Sequence, residues 1–339
     1  MKFERIFQKE WPMCYVASSL FMDGVTYGVF ASESRDTTGA VALSPDLREF
    51  TLWEKPGGCM GIVQVPGKEE FLVIQRFYPV FQSEEAEISW YYRQGKEWKR
   101  KVLFQIPFVH RIEILKEKGQ LYLLICKLCQ AKKFVDDWST AGSVLACRLF
   151  PETREAGEQQ VILEGLYKNH GLVKLPGEND RALVAYDGGV NELFMDDGGE
   201  WKSRKIFNEA CSDVAVAAYP EHGEYDEIGI ITPFHGNDFR ILRREAKGWR
   251  ETFSLNDSFG HGIWGGKLNG SFCYLIGYRA GSRGIYCVES VEGKYTVTPV
   301  DLNVGSANLT VFQWKGKICI GSANRESNSI TIYSVSADD

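Results

Sequence analysis

A four-strand unit that recurs from one end of the chain to the other is what most limits how this sequence can fold. Short runs rich in Val, Ile, Tyr and Phe alternate with Gly, Asp or Asn turns, and no stretch sustains a 3.6-residue apolar stripe. Aligned on one another, the runs give an inner apolar strand, a Gly or Pro turn, a second strand, a polar loop, a third strand and a charged fourth strand that often holds a Trp. HGIWGGKLNGSFCYLIGYRAGSRGIYCVESVEGKYTVTPVDL is one copy. Inner strands begin near Tyr15, Met60, His110, His170, Asp213, His261 and Asn308, a spacing of about 45 to 60 residues that matches a propeller blade. Seven starts predict an all-β, seven-bladed β-propeller of four-stranded antiparallel blades.

The ends of the chain fit that ring. The copy from Asn308 to Val335 holds three strands, while KFERIFQ at the amino end is a spare strand with nothing before it to pair with. It is therefore expected to close the ring as the outer strand of the last blade, which removes the open sheet edges of an unclosed stack. No Pro/Ser-rich linker or composition break interrupts residues 1 to 339, so a single domain is expected; the longest insertion, Cys129 to Gly142, is placed in the second complete blade.

Charge and cysteine content exclude several classes of function. Thirty-nine basic against 45 acidic residues give a net charge of -6 with no long run of Lys or Arg, which argues against a nucleic-acid or anionic-membrane footprint. The opening MKFERIFQKEWP lacks the parts of a signal peptide, and no segment approaches the length of a membrane span, so a cytoplasmic protein is expected. Nine cysteines, an odd count, suit reduced buried thiols. Cys126 and Cys129 have a redox-like spacing, but they lie in the apolar run LYLLICKLC and read as core. There is no G-x-S-x-G elbow, Walker loop, H-E-x-x-H or G-x-G-x-x-G leading into a helix, so serine-hydrolase chemistry and a nucleotide cofactor drop out.

What remains is histidine. Direction reverses with each strand of an up-and-down blade, so the start of an inner strand and the loop between strands two and three lie at one end. His110 (PFVHR), His170 (KNHGL) and His261 (FGHGI) begin inner strands, and His235 (PFHGN) lies in a strand-two-to-three loop; all four should share one face, with His222 on the other. The same loops carry Arg35, Arg76, Lys132, Lys133, Arg279, Arg283 and Arg325, so that face is expected to be positive and its ligand anionic or oxygen-rich. Singly, each cation reads equally as a solvated loop tip; Arg279 and Arg111, next to apolar strands, are the better candidates.

Imidazole suits Zn, Mn, Fe or Ni, and His110, His170 and His261 are the candidate metal ligands, although spacing alone neither proves nor excludes a divalent ion. Histidine also exchanges protons near neutral pH, and beside an Arg that polarises a carbonyl it suits β-elimination. His110, His170, His235, His261 and Arg279 are thus the candidate catalytic set, with Arg111, Tyr78, Trp138 and Arg283 as candidate substrate contacts. Tyr78 and Trp138 would stack on sugar rings or else wedge between blades, and Trp264 reads as core.

The segment SFGHGIWGGKLNGSFCYLIGYR resembles the G-H-x-x-W-x-G-x-x-x-G…V-G-x-R pattern of propellers related to FG-GAP repeats, and with PFVHR and TPFHGND it looks like the propeller domain of aldos-2-ulose dehydratases. The likeness spans roughly Pro107 to Arg283. It implies metal-assisted loss of water from a keto-sugar such as an anhydrofructose, at His110, His170, His235 and His261. Two departures stand out: KLNGSF has no Asp-rich calcium turn, and residues 1 to 339 are not expected to include the cupin domains of those dehydratases.

A carbon–oxygen lyase acting on a small keto-sugar or sugar acid is therefore the leading expectation, with His261 the first candidate for an essential residue. The rival is a non-catalytic propeller that binds a carbohydrate or a protein through the same face, since the fold does not dictate chemistry.

Overall fold

The computed structural model describes residues 1–35, 39–78, 83–217, 225–291 and 294–337. These form seven antiparallel sheets arranged as the blades of a β-propeller. The inner strands are Cys14–Met22, Gly61–Gln64, Val109–Glu117, Gly171–Leu175, Asp213–Ala215, Ser258–Leu268 and Ser306–Trp314, within a few residues of each expected start. No helix among the described residues is long and apolar enough to cross a membrane.

The strand pattern follows from how blades stack. Middle strands lie between two neighbours, are covered on both faces and lose their alternation: Phe71–Gln75 is buried at every position. Fourth strands edge the ring and keep it, as in Glu97–Gln105, where exposed and half-buried positions interleave. The core is accordingly a set of wedges between adjacent blades. Trp11, Phe30, Phe312, Trp314 and Ile332 fill the wedge between the last blade and the first. A Cβ on Gly28 would stand 3.0 Å from Phe312 Cζ, so that position needs a side chain no larger than hydrogen for the ring to close without a shift.

The amino-terminal strand, Lys2–Glu10, pairs antiparallel with Ser329–Ser336 and forms the outer edge of the last blade. Its closure is reinforced by Trp11 N donating to Asn328 O at 2.7 Å, Met13 N to Asn328 Oδ1 at 2.9 Å, and an Arg5–Asp301 ion pair at 2.5 Å.

Two details depart from the expected blade plan. The insertion after Cys129 joins Gln120–Lys127 to Gly142–Phe150 and so belongs to the third complete blade, not the second, because Gly61–Gln105 already makes up the second. In that third blade the outer strand is broken: Glu155–Ala156 and Gln160–Leu166 both pair with Gly142–Phe150.

A β-bulge recurs at the start of four inner strands. The ladder skips between Cys14 and Val16, Val109 and Arg111, Gly260 and Gly262, and Ser306 and Asn308, leaving Tyr15, His110, His261 and Ala307 unpaired. Two residues earlier the backbone is left-handed at Met13, Phe108, Phe259 and Gly305. An extra residue of this kind bends the strand and re-aims its side chain, here toward the axis of the ring.

Candidate active site

Four histidines meet at the mouth of the central channel. His110 and His261 are bulge residues, His170 directly precedes its inner strand, and His235 sits in the turn after Glu227–Thr232. That turn is tight: His235 has φ 48°, Gly236 N donates to Pro233 O at 2.8 Å, and a Cβ on Gly236 would lie 2.2 Å from Thr232 O. The expectation that a strand-two-to-three loop shares the inner-strand mouth is met, since His235 Nε2 lies 3.3 Å from His170 Nε2. His222 lies outside the described residues.

Second partners fix the ring orientations. His170 Nδ1 is 3.0 Å from each carboxylate oxygen of Asp213, and His261 Nδ1 donates to Ala307 O at 2.6 Å. With Nδ1 serving as donor in both, Nε2 is the nitrogen of each ring that faces the shared centre. Ring nitrogens of His170, His235 and His261 all lie within 4.8 Å of one another. Metal–nitrogen bonds of about 2.0–2.1 Å in a tetrahedral site place ligand atoms about 3.4 Å apart, close to the His170–His235 separation. A carboxylate and a carbonyl behind ligating imidazoles are the usual outer partners of such a site. The donor set therefore fits a divalent ion. The expected triad was His110, His170 and His261; the three that converge are His170, His235 and His261.

His110 stands beside them, its ring 4.4 Å from that of His170. Tyr15 connects the two sides: its hydroxyl is 3.2 Å from His261 Nε2 and 3.3 Å from His110 Nε2. The hydroxyl carries one proton, so it can donate to only one of these two nitrogens. His110 Nδ1 is buried and faces the backbone of His170. Burial, and then the neighbouring histidines, hold His110, His235 and His261 well below the usual imidazole range, so all three are neutral at pH 7. Burial pushes the Tyr15 phenol up to about 12. Burial alone would raise Asp213, but His170 and Arg111 outweigh it and keep the carboxylate below its ordinary range.

Above the histidines lies a cavity of about 640 Å³. Trp138, Phe234, Phe259 and Phe77 form apolar walls, and Lys132, Arg279 and Arg325 bring positive charge. Phe234 stacks on His235 at 4.0 Å and meets Trp138 edge to face at 4.9 Å.

The expected site residues separate on this geometry. Arg279 lines the cavity, but its Nε and Nη2 are held by Glu326 at 2.8 and 2.5 Å, and Arg325 is likewise paired with Glu33, so the face is less positive than its cation count suggests. Trp138 reaches the wall, whereas Tyr78 is buried beneath the Arg35 guanidinium, 3.7 Å from the ring centroid. Arg283 is an exposed turn residue away from the cavity lining. Arg111 points the other way, into the axial channel behind the histidines, with Nη1 donating to Met60 O at 3.3 Å. Trp264 is half-buried on that channel, and Cys126 and Cys129 are buried free thiols. Lys133 is exposed, and Arg76 pairs loosely with Glu85 and Glu87 at 3.5 Å.

Tyr15 and Asp213 join the candidate site through their contacts with the histidines. Both begin inner strands, in the same column as His110, His170 and His261, and that shared position is the sequence signal for them.

No known family matches the chain, and no curated protein matches its sequence. Solved structures do. A Bacteroides uniformis protein with a provisional 6-phosphogluconolactonase name superposes with TM-score 0.59 at 12% identity, covering 95% of this chain and 92% of its own. A Bacteroides fragilis protein with the same provisional name gives 0.60 at 11% identity over 95% and 91%. The Swd1 propeller domain of Myceliophteria thermophila gives 0.60 at 12% identity over 99% and 100%. The shared feature is the β-propeller fold. Enzymes by name and an unrelated propeller superpose equally well, so function must be argued from the site.

Proposed function

We propose that the protein is an enzyme that holds a divalent metal through His170, His235 and His261 and acts as a carbon–oxygen lyase on a small carbohydrate in the cavity above them. The observation that carries this reading is the convergence of three imidazole nitrogens within 4.8 Å, two of them on rings fixed from behind by Asp213 and Ala307. An ion bound there supplies a Lewis acid beside a substrate carbonyl.

The chain's own groups supply the rest. His110, held neutral by burial and lining the cavity, takes the proton from the carbon next to that carbonyl. The C–H bond breaks toward His110, a double bond forms to the neighbouring carbon, and the C–O bond there breaks as the leaving hydroxide takes the proton that His110 carries and departs as water. Arg279, positioned by Glu326 over the face of Phe259 at 4.8 Å, places positive charge where the enolate oxygen develops. Trp138 and Phe234 offer apolar faces to a sugar ring. The two-carbon shift of charge needs a dry site, which the buried histidine floor provides.

A second reading, hydrolysis of a sugar lactone, is favoured by the names of the two Bacteroides structures and uses the same three-histidine site to activate water. One assay separates them. Metal-loaded protein incubated with keto-sugars and uronides is expected to generate the ultraviolet absorption of a conjugated enone. Acid release from lactones without that absorption moves the assignment to hydrolysis. Failure of the protein to take up any divalent ion overturns both and leaves a binding propeller.

A further inference from the structure

Of the three cations on the cavity wall, Arg279 and Arg325 each pair with a glutamate, whereas Lys132 makes no ion pair within 4.0 Å of a carboxylate among the described residues, although Asp136 and Asp137 of its own loop act on it from farther away. It is nevertheless only 7% exposed. Its ammonium donates once, to Val135 O at 2.7 Å, and stands 3.2 Å from the centroid of the Trp138 ring. An ammonium has three donors; the carbonyl takes one and the ring face a second, which leaves hydrogen-bonding capacity and a full charge on the cavity wall.

The loop that carries Lys132 is built to hold it there. Asp137 accepts from Lys133 N at 2.9 Å, from Ser139 N at 3.1 Å and from Ser139 Oγ at 2.5 Å. Thr140 Oγ1 donates to Ala131 O at 2.8 Å and accepts from Ala131 N at 3.0 Å. A fourteen-residue loop, residues 128–141, knitted in this way loses little further freedom when a ligand arrives. From Trp138, contacts run through Phe234 to His235, so a ligand on the histidine floor lies against the same aromatic wall.

We infer that Lys132, seated on Trp138, is an anion subsite, and that the substrate is a sugar bearing a carboxylate or phosphate at the end away from the histidines. This rests on the cavity being a carbohydrate site. A desolvated charge with no carboxylate in direct contact is costly to bury, and a ligand that brings the opposite charge into contact offsets that cost. Neutral sugars lack that partner and are disfavoured.

Calorimetric titration of the full chain with glucuronate, glucose 6-phosphate and glucose tests the assignment, on zinc-loaded and chelator-treated protein in parallel. Wild type is expected to bind at least one anionic sugar about tenfold more tightly than glucose, and which one distinguishes carboxylate from phosphate. Lys132→Met, which keeps the alkyl chain over Trp138, should remove that preference and leave glucose binding unchanged, and Lys132→Arg should retain it. The subsite is overturned if Lys132→Met binds the anionic sugars as wild type does, or if wild type shows no preference. Loss of the metal reading alone would appear differently: zinc would make no difference to any titration while the Lys132 dependence persisted.

Discussion

The carboxylate of Asp213 grips His170 through both of its oxygens, each 3.0 Å from Nδ1. The contact spans two blades, because His170 opens the fourth and Asp213 the fifth. It fixes the His170 tautomer and raises the basicity of Nε2. Asp213→Asn keeps the shape and loses the charge, so zinc affinity measured against a competing chelator should fall about 10- to 100-fold with little change in melting temperature.

Ligation and proton transfer are assigned to different histidines, and substitution should separate them. His235→Ala and His261→Ala remove ligands and should abolish tight zinc binding by metal analysis. His110→Gln should bind zinc as wild type does while lowering kcat by about 10²- to 10⁴-fold, the usual worth of a positioned base. Loss of zinc from His110→Gln together with retention by His235→Ala would restore the triad that chain position alone suggested.

Glu113 gives a pH signature behind the site. It lies on the axial channel two residues after Arg111, and burial pushes its carboxyl up to about 7 despite Lys174 and Arg111 nearby. A carboxyl raised above its unfolded value binds its proton more tightly in the folded state. Its contribution is therefore intact below the unfolded value and is lost as pH rises toward 7, at up to about 1.4 kcal/mol per pH unit for one proton. Glu113→Gln should melt higher than wild type at pH 8, and the gap should close by pH 5. The buried histidines act in the opposite sense in both proteins, since groups held below their unfolded value lose stability as pH falls below it; the difference between the two proteins cancels their effect.

The ring was legible because its repeat is written in every blade: an apolar inner strand, a turn, and a charged edge. The shared face of the histidines was legible as well, since strand direction alone sorts loops to one end. Which histidines could share an ion was not. That depends on Nδ1 partners contributed by another blade, Asp213 for His170 and Ala307 for His261, and on a bulge that turns His110 toward Tyr15. The same bulge sent Arg111 into the channel, because each extra residue shifts every later side chain to the other face. Arg279 looked like a free cation only because Glu326, 47 positions away, is brought beside it by the ring.

Closure of that ring makes the last test. Eight residue pairs join Lys2–Glu10 to the final strand, and Phe3 packs with Tyr333 and Val335 in the wedge between the sixth and seventh blades. Removing residues 1 to 10 forfeits those ladder bonds at about 0.5–1.5 kcal/mol each and bares the edge of Ser329–Ser336. A chain of this size has a net stability of only about 5–15 kcal/mol, so the loss should lower the melting temperature by about 10 °C or more and promote aggregation. If the strand acts by closing the blade, a peptide of residues 1 to 12 added in trans should restore much of the melting temperature. A truncated chain that melts as wild type does would mean that six full blades and a three-stranded seventh suffice.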